Sequence, residues 1–354
     1  MKKRFTIIPL ILITVLIFSP TLFAESIELN LEKAYQFTLE DNTSLKIAQK
    51  DLDNKEIQYQ KAKAENLMNQ SNYSELRAEY NLAAAKNSYI ETANNLLRET
   101  LQQYTEILLK DKNIETLNKQ IILNENRLNE VEAQYEVGEK SQLDILEQQI
   151  KLNDLIQERE QLKNEYEQLK TEFKVKLGSD KDIDLQLVEL DQPEYLNLEE
   201  KEIQEQALTN SWNLKLTKLN YELTKTDQKR KEVTSSSEMD KKITDNQVEI
   251  AELELDKQKQ NIENRARELS NQINNIKNNI ELHRDKIKSA RETYEILKEQ
   301  NKSGLITDNE LYEGEISLLQ SEYQLYNSYM QYHLQAQNIK QFMNPNSGVL
   351  EDEK

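Results

Sequence analysis

The 354-residue chain has no cysteine, two histidines, one tryptophan, five glycines and four prolines. Without cysteine there is no disulfide, no thiol nucleophile, no thiolate metal site and no lipid-modified N-terminal cysteine. Two imidazoles, His283 and His333, leave almost nothing from which to build an HExxH metal helix or a histidine-based triad. Gly138, Gly178, Gly304, Gly314 and Gly348 form neither GxGxxG nor GxxxxGK[ST], so no glycine loop cradles a nucleotide phosphate. These absences speak against an enzyme, and no cofactor is expected. So few glycines and prolines also exclude a fold with many tight turns, such as a β-sandwich or a doubly wound sheet. Pro9 and Pro20 lie near the N-terminus, which leaves only Pro193 and Pro345 beyond it. Long uninterrupted helices are the reading that remains.

Apolar residues make up 37% of the chain and charged residues 31%, so narrow seams between helices fit better than one thick core. The N-terminus carries Lys2, Lys3 and Arg4, an apolar stretch from Phe5 to Phe18, and Ser19-Pro20-Thr21-Leu22-Phe23-Ala24. That order is read as a secretory signal peptide, residues 1–24, cleaved after Ala24. An uncleaved N-terminal anchor is the alternative, although the stretch is shorter than the ~20 residues a span needs. Either way the remainder works outside the cytoplasm. With 64 acidic against 46 basic residues the net charge is −18, which does not suit a nucleic-acid binder.

The sequence is internally duplicated. Leu29-Asn30-Leu31-Glu32 recurs as Leu196-Asn197-Leu198-Glu199, and Asn42-Thr43-Ser44-Leu45-Lys46 is echoed by Asn210-Ser211-Trp212-Asn213-Leu214-Lys215. Further on, Gly138 and Gly304 are each followed at +3 by a hydroxyl (Ser141, Thr307), at +6 by a carboxylate (Asp144, Glu310) and at +9 by Glu147 and Glu313. Heptad seams lead into both glycines. In the first copy the seam runs through Ile114, Leu117, Ile121, Asn124, Leu128, Val131 and Tyr135; in the second it runs from Leu269 through Ile280, His283 and Ile287 to Leu297. New seams start beyond them, from Leu152 to Phe173 and from Leu311 to Tyr332. Gly138 and Gly304 are therefore expected at the tips of antiparallel helical hairpins, as left-handed C′ residues, with Ser141 and Thr307 as N-caps of the returning helices. Asn, Ser, Ala and Arg dilute the seams, which suggests thin walls that are wet on one side. His283 on its seam is read as a structural histidine, and Trp212 as a packing anchor.

Residues 25–178 form the first helical repeat, 179–198 an extended linker containing Pro193, 199–343 the second repeat and 344–354 a disordered acidic tail. Bends are expected at Ser235-Ser236-Ser237-Glu238, an S-x-x-E capping box, and at Asn72-Tyr73-Ser74-Glu75. A continuous helix through the first bend is the alternative there, because the 3,4 pattern runs unbroken from Leu45 to Leu76.

Signal peptide, L-x-L-E-x-A at Leu29 to Ala34, Y-x-x-G-x-x-S-x-x-D-I-L at Tyr135 to Leu146, and a second copy of each together resemble the outer-membrane efflux proteins of the TolC type. The resemblance covers nearly all of the mature chain. It implies an all-α protomer of a homotrimer whose twelve long helices form a tapered tunnel, a passive conduit for efflux or type I secretion across the cell envelope. A periplasmic membrane-fusion adaptor would bridge it to an inner-membrane ABC or proton-driven pump. By the same resemblance, Val137, Gly138, Glu139, Lys140 and Ser141, and Ser303, Gly304, Leu305, Ile306 and Thr307, would be the tips that the adaptor engages. Asp144, Glu310 and Glu313 would form an acidic ring at the tunnel entrance, although their bland reading is ordinary solvated helix-face acid. Two positions depart from the family pattern near the second tip, where Asn301 replaces a tyrosine and Ile306 an arginine. The family's barrel strands also have no counterpart, since 67–74 and 232–240 contain no alternating run of 9–11 residues. A tunnel protomer without a β-barrel is the expectation; an extracytoplasmic coiled-coil scaffold or adaptor with no channel is the rival.

Overall fold

The computed structural model describes residues 26–40, 42–69, 72–178, 184–234 and 237–347. The expected signal peptide, residues 179–183 of the expected linker and residues 348–354 of the tail lie outside that range. In chain order the elements are β1 (Ser26–Leu29), α1 (Leu31–Glu40), α2 (Thr43–Asn69), α3 (Asn72–Glu136), α4 (Gln142–Lys176), β2 (Asp184–Leu187), α5 (Glu200–Asn210), α6 (Trp212–Thr234), α7 (Glu238–Lys302) and α8 (Asp308–Met343). Among the described residues the fold is all-α apart from the parallel pair β1 and β2, in register from Ser26 against Asp184 to Leu29 against Leu187. Helices α3 and α7 are each 65 residues long, about 98 Å at 1.5 Å per residue.

The duplication seen in the sequence is a structural one. In each copy a broken arm (α1–α2, α5–α6) reverses into a long helix (α3, α7), which reverses again at a tip into a returning helix (α4, α8). Helix α2 packs back along α3 and α6 along α7, so the chain reverses between α2 and α3 and the continuous helix does not hold; residues 70 and 71 lie outside the described residues. Asn66 near the end of α2 donates from Nδ2 to Asn72 Oδ1, 3.4 Å away at the start of α3, and to Glu75. The second bend is capped later than the S-x-x-E spacing suggests. Ser237 is the N-cap of α7, and its side chain accepts from the Asp240 amide, while Ser235 and Ser236 lie outside the described residues.

Toward the tips the wall is ordered α4, α3, α8, α7; in the other half it is α2, α3, α6, α7. The two central helices pack on both sides and the outer ones on one. Burial is deepest at mid-length, in two clusters. One gathers Leu29, Ala34, Tyr104, Ile107, Phe173, Leu185 and Met330. The other gathers Ile203, Ala266, Leu269, Ile280, Tyr332 and Ile339.

The expected linker is no free tether. After β2 it crosses the rod as an extended strap, whose backbone groups need partners because they lie against helices. Buried tyrosines supply them. Tyr104 Oη donates toward Val188 O (2.6 Å) and Leu29 O (2.9 Å), while the Leu190 and Leu196 amides donate to Tyr326 Oη (3.2 Å) and Tyr332 Oη (2.6 Å). Lys277 Nζ donates to Leu196 O at 2.7 Å. The two copies of the repeat diverge at their starts, and the expectation for the tail needs correction. The repeated L-N-L-E motif does two jobs: Asn30 Oδ1 accepts from the Lys33 amide at the start of α1, whereas Leu196-Asn197-Leu198-Glu199 lies in the strap and α5 begins only at Glu200. Residues 344–347, placed in the disordered tail, form a hydrogen-bonded turn in which Pro345 O accepts from Asn94 Nδ2 (2.8 Å) and Asn346 Oδ1 from Trp212 Nε1 (3.0 Å). Trp212 is thus a packing anchor, with Lys215 over its ring.

Candidate functional site at the hairpin tips

Both tips are built alike. Gly138 (φ +82°) and Gly304 (φ +69°) adopt the left-handed conformation that L side chains avoid. Their amides donate to the carbonyls of Tyr135 and Asn301, and the next amides, of Glu139 and Leu305, reach back to Gln134 O and Gln300 O. This 6→1, 5→2 pair is the Schellman closure, with glycine at C′. No side chain lies within 4 Å of either glycine's missing Cβ, so backbone conformation alone demands glycine there. Ser141 and Thr307 then N-cap α4 and α8 in full capping boxes with Asp144 and Glu310. Ser141 N and Oγ both lie 2.7 Å from Asp144 Oδ2, and Thr307 N and Oγ1 lie 2.8 and 3.0 Å from Glu310 Oε2. The Ser141 hydroxyl and amide hold the Asp144 carboxyl below its ordinary range, and the Thr307 amide and hydroxyl do the same for Glu310. Both carboxylates stay charged at neutral pH because they neutralise the orphan amides of a helix start.

The tips differ in what they present. Glu139 and Lys140 make the first one charged, whereas Leu305 and Ile306 make the second apolar, with Leu305 exposed beside Ile296 in a shallow patch. Asn301, the departure from the family pattern, pins that loop by donating to Asp308 Oδ1 (2.9 Å) and Ile306 O (3.4 Å). Just behind the tip, α8 approaches α7 so closely that a Cβ on Gly314 would stand 2.4 Å from Leu297 Cδ1.

The tips lie side by side at one end of the rod. Asn309 Nδ2 donates to Glu130 Oε1 at 2.6 Å, Glu313 pairs with Arg127, and Glu315 pairs with Lys119 at 2.8 Å. Of the three acids expected at the entrance, Asp144 and Glu310 are therefore cap residues, and Glu313 ties α8 to α3. The sequence did not point to Lys119, Arg127 or Asn309, because cross-hairpin partners have no local signature. Above the tips a polar trough follows the α3–α8 seam. Gln120, Ser317 and Gln320 line it throughout, and His283 and Lys286 flank its upper part. Burial and the nearby Lys286 hold His283 below its ordinary pKa, the state of a neutral structural imidazole.

These features define a fold: a helical-hairpin wall with twin tips, of the TolC type. Three solved structures share it. A membrane protein from Pseudomonas aeruginosa aligns over 91% of this chain and 94% of its own, with a TM-score of 0.63 and 11% identity. The Campylobacter jejuni CmeC outer membrane channel aligns over 89% and 85% with 0.62 and 11%. The outer-membrane channel OprN aligns over 88% and 89% with 0.63 and 11%. Neither a family model nor a curated protein matches the sequence.

Proposed function

We propose that three copies of this chain close into a hollow helical cylinder that acts as a passive conduit for efflux or type I secretion, engaging a membrane-fusion adaptor through its tips. The observation that carries this reading is the pair of unused coiled-coil stripes on the two edges of the wall. One edge exposes Ile47 and Ile57 on α2 and Leu143, Leu146 and Ile150 on α4. The other exposes Ile243, Ile250, Leu253, Leu282 and Ile296 on α7. Successive residues within each helix are separated by 3, 4, 7, 10 or 14 positions, apart from the 29 between Leu253 and Leu282, the spacing of seam segments that lack their facing helix. The edges differ from one another, so they pair head to tail, and a closing rotation gives a ring. The diluted seam and polar trough along α3 and α8 then line an aqueous lumen.

In the ring the alternating charged and apolar tips form the docking surface for the adaptor's hairpins. Glu310 and Glu313, repeated by symmetry, place a negative field at the narrow end that favours cations. Energy comes from an inner-membrane ABC or proton-driven pump. Light scattering on purified protein tests the assembly. Three chain masses are expected, while a stable monomer or dimer would favour the scaffold without a lumen. Capture of a co-encoded adaptor should fail for Gly138→Pro and Gly304→Pro, and undiminished capture would remove the docking role.

A further inference from the structure

The end opposite the tips carries the other two reversals, from α2 into α3 and from α6 into α7. The Arg230 guanidinium lies 4.6 Å from the centroid of the Tyr73 ring, which sets the two reversals side by side. Among the described residues, the four most exposed large apolar side chains all belong to this end: Val233 (87%), Leu67 (85%), Met68 (85%) and Met239 (80%). Each sits within two positions of a helix terminus. Leu67 and Met68 are adjacent, so they leave the helix about 100° apart and form no stripe for a partner helix to cover. Apolar groups crowning the end of a rod suit a planar apolar phase better than a groove.

Charge separates the two ends. Residues 61–77 and 227–242 hold eight basic and six acidic residues, a net +2, in a chain of net −18. Residues 130–147 and 295–313, around the tips, hold three basic and eleven acidic residues, a net −8. The apolar crown therefore sits on the one end whose charge complements an anionic surface. Among the described residues no helix is long and apolar enough to cross a membrane.

We propose that this end seats on the surface of an anionic lipid membrane. Leu67, Met68, Val233 and Met239 enter the headgroup region, and basic residues including Lys229, Lys241 and Lys242 meet the lipid phosphates. The inference does not depend on three copies closing into a ring.

Because the chain lacks cysteine, single labels can be placed without background. Met68→Cys, Met239→Cys and, at the opposite end, Leu305→Cys carry the polarity-sensitive fluorophore NBD in the full chain. Each is mixed with vesicles of phosphatidylcholine alone or with equal parts phosphatidylglycerol. Labels at 68 and 239 should brighten and shift blue on the phosphatidylglycerol vesicles only and revert in high salt, while the label at 305 stays unchanged. Lys229→Glu with Lys241→Glu and Lys242→Glu should raise the lipid concentration for half-effect by roughly tenfold or more. The proposal is overturned if 68 and 239 stay silent or respond no more than 305. It is overturned equally if their signal changes with protein concentration in the absence of lipid, which would show end-to-end pairing of copies.

Discussion

Removing the Tyr104 hydroxyl isolates the contribution of the strap. Tyr104 is fully buried and its one proton is aimed at two carbonyls, Val188 O at 2.6 Å and Leu29 O at 2.9 Å. Leu29 O keeps a second donor, the Val188 amide at 3.0 Å, so Tyr104→Phe mainly strands Val188 O. The ring stays edge-on to Phe173, 6.3 Å between centroids, and no cavity opens. The cost is one net hydrogen bond plus a partly desolvated acceptor, about 1–2 kcal/mol. Local opening that frees the Val188 amide should then become roughly 5- to 30-fold more frequent. Hydrogen exchange at Val188 and neighbouring β2 amides measures this directly, with Tyr135→Phe at an exposed tip position as the control. Unchanged Val188 exchange, or an equal change in the control, would refute the strap argument. The same burial pushes the Tyr104 pKa up to about 12, against 10.0 for the free side chain. A raised folded value means its contribution is complete below pH 10.0 and is lost as pH rises toward 12, so Tyr104→Phe should blunt alkaline loosening of the strap.

The tips give two further predictions, and the edges another. Gly304→Ala should destabilise the second hairpin by about 1 kcal/mol through left-handed strain alone, and Gly304→Asn by less, as thermal melts can compare. Asp144 and Glu310 have folded pKa values below their unfolded ones, so their capping stabilisation is complete above about pH 4.5 and disappears as pH falls through the depressed values. Ser141→Ala with Thr307→Ala should flatten that acid dependence in circular dichroism titrations. Ile250→Asp with Leu253→Asp on the exposed edge of α7 should leave helix content intact yet reduce the mass measured by light scattering; an unchanged mass would place the contact elsewhere.

Much of this architecture is legible in the sequence because helical hairpins are local objects. Gly138 and Ser141 announce a tip within a few residues, and a heptad leading into a glycine needs no distant partner to be recognised. What escaped reading depends on contacts between remote segments. Helix α8 carries the expected seam from Leu311 to Tyr332 but also a second buried face through Ile316, Tyr326 and Met330, which serves α3. Tyr332 looks like an ordinary seam residue, and Tyr326 lies beside the seam, until the strap arrives to donate its amides to them. The β1–β2 pair joins residues some 158 positions apart, and neither four-residue strand shows a period of its own. The acid pattern at +6 was visible, but its local use in capping boxes competes with the entrance role that the resemblance suggests.

The unused edges constrain assembly more tightly than the mass alone. In a closed four-helix bundle α4 and α7 would be neighbours, and Leu143, Leu146, Ile150, Leu282 and Ile296 would be covered; instead all five are more than half exposed. Covering one such stripe stabilises by a few kcal/mol at about 25 cal/mol per Å², so an open wall gains by finding a partner. A two-fold dimer uses the same patch on both copies. It could join α7 to α7 or α4 to α4, but it would leave the other edge of both chains bare. Head-to-tail contacts cover both edges with one interface, and they end either in a ring or in a filament. Cross-linking between α4 and α7 of different chains, with no α7–α7 product, is the signature that distinguishes this geometry from a coiled-coil scaffold of the same mass.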